Sequence, residues 1–106
     1  MKIKIKLFAL FRELAGRKEV ELDFNDDSVT VRDVIKALGD RVNKELAELI
    51  MEKYQQLSSL LILVNGRNIR LLKGLETTLK DGDEVAIFPP GAGGSVAKNA
   101  CLKSIG

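Results

Sequence analysis

A chain of 106 residues with 45% hydrophobic and 30% charged residues has the size and composition of one folded domain, which excludes wholesale disorder and a second independent core. Lys98 and Lys103 follow Gly94, and the other 15 basic residues match 15 acidic ones, so the body is neutral and lacks the basic excess of a nucleic-acid binder. One cysteine, no histidine, no apolar run of about 20 residues and no signal peptide exclude an internal disulfide, argue against common metal and triad chemistry, and predict a cytoplasmic protein with no membrane contact.

Lys2 to Leu7 alternates Ile3, Ile5 and Leu7 with lysines, the period of a half-buried strand. Val20, Leu22 and Phe24 repeat that period, predicting a neighbouring strand across a loop "FRELAG" with a short helical turn closed by Gly16. Thr30 with Asp33 reads as a helix start, Val31, Val34, Ile35 and Leu38 share its buried face, and Gly39 is placed to stop it. A second helix is predicted from about Asn43 to Tyr54, with Leu46, Leu49 and Ile50 on one face.

Leu60 to Val64 is an apolar run expected to form a central strand buried on both faces. Asn65-Gly66 suits a tight hairpin turn, with Ile69 on the returning strand. Asp81 and Asp83 flank Gly82 as turn formers, not as a catalytic carboxylate pair. Glu84 to Phe88 forms the last strand, ended by Pro89 and Pro90, which lack ladder donors. The sum is an α+β fold, a β-grasp: a mixed sheet of about five strands, first and last adjacent, with one or two helices on one face. Residues 1–90 form the domain, 91–94 a flexible glycine-rich tail, and 95–106 an extension expected to be disordered or removed.

In this order, "LFALFRELAG" from Leu7, "VRDVIKAL" from Val31, "LVNGR" from Leu63 and "LKDGDEVAIFPPGAGG" from Leu79 to Gly94 resemble the ubiquitin-like sulfur carriers, in particular the small subunits of molybdopterin synthase and the archaeal small modifiers. The resemblance implies that Gly94, preceded by Gly93, is the acyl carrier. An E1-like (MoeB-like) enzyme would adenylate its carboxylate, a sulfur nucleophile would displace AMP, and the resulting thiocarboxylate would serve the large (MoaE-like) subunit in making the dithiolene of molybdenum or tungsten cofactor. The carrier itself needs no cofactor and no catalytic base. Residue choice agrees, because glycines without Cβ can thread a narrow channel.

The resemblance also implies an apolar docking patch at Phe8, Ile69 and Phe88, positions that packing alone would equally explain. Arg12, Arg67 and Arg70 are candidates to pair with acidic partner residues, or are simply solvated. Asn68 departs from the larger apolar residue of relatives. The twelve residues from Ser95 to Gly106 conflict with the chemistry, since a peptide bond to Ser95 leaves no free carboxylate at Gly94. Three readings compete: a proform trimmed by a protease, a binding module that keeps its tail and has lost transfer, or a tail foreign to the domain. Cys101 in that tail invites a sulfur relay, although a lone cysteine is more often incidental. A protein modifier joined to lysines of target proteins shares every one of these motifs with the cofactor carrier. A thiamin-pathway carrier ranks lower, and an RNA-binding β-grasp module last.

Overall fold

The computed structural model describes residues 1–56 and 60–89. Lys2–Leu7 (β1) lies centrally, antiparallel to Glu19–Asp23 (β2) and parallel to Glu84–Phe88 (β7). Leu61–Val64 (β4) pairs antiparallel with β7 and with the two-residue Arg67–Asn68 (β5), giving the order β2-β1-β7-β4-β5. Register aligns the inward residues: Val20, Ile5, Val85 and Val64 form one row, Leu7, Ile87 and Ile62 the next. All seven are buried, each contributing about 1.5–3 kcal/mol by leaving water. This is the expected β-grasp sheet with its first and last strands side by side.

Three helices cover the inward face, where one or two were expected. "FRELAG" belongs to a full helix, Ala9–Ala15 (α1), which Gly16 ends at φ 76°. Val31–Arg41 (α2) starts at a capping box: the Thr30 hydroxyl accepts from Asp33 N–H at 3.3 Å, and Asp33 Oδ2 accepts from Thr30 N–H at 3.0 Å. Lys44–Gln56 (α3) is capped by Asn43, whose Oδ1 accepts from Glu45 N–H at 2.8 Å while its Nδ2 donates to Leu14 C=O at 2.8 Å, tying α3 to α1.

Three expectations are corrected. Gly39 does not stop α2, which continues to Arg41. A Cβ built at Gly39 would stand 2.8 Å from Ala47 Cβ, so its lack of a side chain lets α2 and α3 approach. β4 is buried on one face only, with Leu61 and Leu63 partly exposed, because all the helices lie on the other side. Ile69 is not on the returning strand. It opens a 3₁₀ turn, Ile69–Leu71, capped by the Asn68 side chain, and is fully buried. A second sheet escaped the periodicity because its strands are two residues each: Val29–Thr30 (β3) against Thr78–Leu79 (β6).

The Asn65-Gly66 turn forms as expected, both residues at positive φ (51° and 85°). Asn65 also accepts from Glu84 N–H at 3.0 Å and donates to Asp83 at 2.9 Å, while Asp81 accepts from Lys2 N–H at 2.7 Å. Both aspartates are thus occupied in holding the start of β7.

Gly39→Ala tests the helix contact. We expect a net loss of about 1–2 kcal/mol in urea unfolding, because overpacking outweighs the gain of about 1 kcal/mol in helix propensity. Ala47→Gly in the same chain should restore most of it, and a single variant as stable as the parent would refute the close-contact account.

Candidate functional site

The site is built where β1 and β7 end side by side. Leu7 pairs with Ile87, so the next residue along each strand, Phe8 and Phe88, points outward at the same edge. Their rings stack with centroids 4.2 Å apart and planes at 25°, an aromatic pair worth about 0.5–1.5 kcal/mol beyond its burial. Phe8 remains 37% exposed and Leu10 beside it 46%, so the pair is a surface feature. The chain leaves β1 through Ala9 at φ 52°, a left-handed conformation costing an alanine about 1 kcal/mol. That corner turns the backbone from strand into α1.

Across β7 the patch continues onto β4. Leu61 is opposite Phe88 and Leu63 opposite Ala86, so Phe8, Phe88, Ala86, Leu61 and Leu63 make one apolar area on the outward face. Leu61, Leu63 and Ala86 were not anticipated, because an unbroken apolar run was read as a doubly covered strand. The signal was available: both helices then predicted lie between β2 and β4, with too little chain left to cover a second face. Asn68, opposite Leu63, gives the patch a polar end.

Its other border is charged. Lys6 Nζ is 3.0 Å from Glu84 Oε2, and Lys4 Nζ 3.7 Å from Glu19. The hydrogen bond from Lys6 to Glu84, with the attraction of that carboxylate, raises the Lys6 ammonium above its ordinary pKa.

The remaining sequence-predicted residues are not all brought here. Ile69, 0% exposed, belongs to the core and offers no surface for docking. Arg12 is exposed one turn into α1, four residues beyond Phe8. Arg67 pairs with Val64 in the inward-facing row, off the apolar face. Arg70 lies over the Tyr54 ring at 4.2 Å and donates to Tyr54 C=O at 3.1 Å, fastening the end of α3. Gly93, Gly94 and Cys101 lie outside the described residues, as do residues 91–94 and 95–106 as a whole. Among the described residues there is no cluster of three or more potential metal ligands, and no helix is long and apolar enough to cross a membrane.

Comparison with known proteins matches residues 5–94 to the ThiS family. The small archaeal modifier protein 3 of Haloferax volcanii is 38% identical over 94 residues, 89% of this chain and all of that protein. The molybdopterin synthase sulfur carrier subunit of Haemophilus influenzae is 35% identical over 92 residues, 87% of this chain and 99% of that one. Among solved structures, the small archaeal modifier protein 1 of Methanosarcina acetivorans superposes with a TM-score of 0.69 at 43% identity, covering 88% of this chain and 96% of the other. Sheet order and these matches agree: the chain belongs to the ThiS family of ubiquitin-like β-grasp sulfur carriers and modifiers.

Proposed function

We propose that this protein carries sulfur for molybdopterin synthesis on the carboxylate of Gly94, once residues 95–106 have been removed. The supporting observation is that the family match ends on Gly94, while the last described residues before it, Phe88 and Pro89, adjoin an apolar platform. An E1-like enzyme joins the Gly94 carboxylate to the α-phosphate of ATP, releasing pyrophosphate. A sulfur nucleophile then attacks the acyl carbon and AMP leaves, since a phosphate is a far better leaving group than an oxide. The thiocarboxylate is delivered to the large synthase subunit. The platform of Phe8, Phe88 and Leu61 docks each partner in turn, and Arg12 pairs with an acidic group beside it.

A second product has its own support, because two of the similar proteins are named modifiers. In that reading the activated Gly94 is joined to a lysine of a target protein. The intact mass of the protein isolated from its own cells tests the proposal. We expect a chain ending at Gly94, with a fraction in which one oxygen is replaced by sulfur. Gly-Gly remnants on lysines of other proteins would assign the modifier role instead. Only the uncut chain, in cells making the cofactor, would leave a binding domain without transfer chemistry.

A further inference from the structure

A second surface lies away from the apolar platform. Along β4, Leu61 faces Phe88 while Val64 faces Val85, so Val64 is three residues, about 10 Å, toward the opposite end of the sheet. There, between the Asn65-Gly66 hairpin and the segment leading into β6, is an open groove of about 730 Å³ lined by Val64, Arg67, Leu72, Lys73, Thr77 and Thr78. We infer that this groove is a docking site for an extended acidic segment of a partner protein, one that carries a large apolar side chain among its carboxylates.

Charge argues for the acidic part. Arg67 and Lys73 are both exposed, neither forms an ion pair among the described residues, and no carboxylate lines the groove. Two cations thus face one concavity with no acid to neutralise them, and the exposed Thr78 hydroxyl beside them adds hydrogen-bonding capacity, while the buried Thr77 hydroxyl is already engaged by Lys73 N–H and Gly74 C=O.

Exposed leucines argue for the apolar part. Four large apolar side chains are exposed among the described residues; one of them, Leu72 at 41%, lines this groove, and another, Leu71 at 84%, precedes it in the chain. The other two, Phe8 and Leu10, belong to the platform. β5, which flanks the groove, is an edge strand and leaves one side of its backbone unpaired.

Other occupants fit less well. Residues 95–106 contain Lys98 and Lys103 and no acid, the wrong sign for this groove. A nucleic-acid strand draws its affinity from many phosphate contacts, more than two cations supply, and gains nothing from leucines. A second copy brings a body whose 15 acidic residues are equalled by 15 basic ones, so it offers no net charge to attract two cations. The groove and the platform share no residue, so a partner seated in the groove can stay bound while the other surface changes hands. The inference concerns binding alone and stands or falls independently of any chemistry at Gly94.

The test is a titration of the ¹⁵N-labelled full chain with the acetylated, amidated peptide EDLEDL, followed by amide shifts. We expect saturable shifts at Val64, Arg67, Leu72, Lys73 and Thr78, with Phe8 and Phe88 unmoved. Arg67→Glu with Lys73→Glu, at unchanged spectral dispersion, should weaken binding at least about tenfold, the scale of two reversed surface charge contacts. Leu71→Ser with Leu72→Ser should weaken it as well. Four results would each overturn the assignment: no saturable shift up to about 1 mM peptide, the concentration at which even a weak site fills appreciably; shifts centred on Lys6, Phe8 and Phe88; a basic peptide KKLKKL or a single-stranded oligonucleotide binding as well as the acidic one; or sedimentation showing a dimer that the charge-reversal variant dissociates.

Discussion

A chain ended at Gly94 is expected to support exchange of labelled pyrophosphate into ATP by an E1-like adenylating enzyme, and the same chain continued to Gly106 is expected to give only the background of the enzyme alone. The contrast is all or none because the nucleophile in the first step is a carboxylate oxygen, and an amide to Ser95 provides none of comparable reactivity. Val in place of Gly93 in the shortened chain should lower exchange with the fold intact, since a branched side chain would enter the channel that glycine passes. Equal exchange by the long and short chains would place the acceptor elsewhere. Failure of both, with the partner shown active on another carrier, would favour the retained-tail binding domain.

Phe11→Ala should cost about 3–5 kcal/mol, the usual penalty for emptying a buried aromatic site. Phe11 is 0% exposed and is the one buried residue of α1. A helix of seven residues is far below the roughly 12–15 needed to persist alone in water, so its packing holds it in place. The loss should reach function too: Phe11 N–H donates to Phe8 C=O at 3.2 Å, and slackening α1 frees Phe8 from its stack on Phe88. Urea unfolding of Phe11→Ala beside Leu10→Ala separates the contributions. The exposed Leu10 should change stability by no more than about 0.5 kcal/mol, and a Phe11→Ala cost under about 1 kcal/mol would contradict the packing account.

Which parts of this molecule its sequence disclosed follows from how local their causes are. Strict alternation in "KIKIKL", a Thr-x-x-Asp start and an Asn-Gly turn are complete within a few residues, and β1, the cap of α2 and the β4–β5 hairpin stand where those signals put them. Gly39 misled because a glycine near a helix end satisfies two rules, a stop and a close approach, and only the position of Ala47 on another helix decides between them. Leu60 to Val64 misled for a similar reason: how many faces of a strand are covered depends on where the helices go. At the site, the outward direction of Phe8 was legible because it sits one step past buried Leu7, whereas Phe88 was named through the resemblance alone, with packing an equal alternative. The inward direction of Ile69 was not legible, since a 3₁₀ turn after a two-residue strand breaks the alternation and sends the side chain inward. The groove at Arg67 and Lys73 joins segments with no shared periodicity, so nothing in the linear text marks it.

The parallel pairing of β7 with β1 on one edge and its antiparallel pairing with β4 on the other have a mechanical consequence. When a partner draws on the chain beyond Phe88, the load runs lengthwise along a strand bonded on both edges. Its hydrogen bonds must then give way together in shear instead of peeling one at a time, so an enzyme can pull hard on the arm without unravelling the body that presents it.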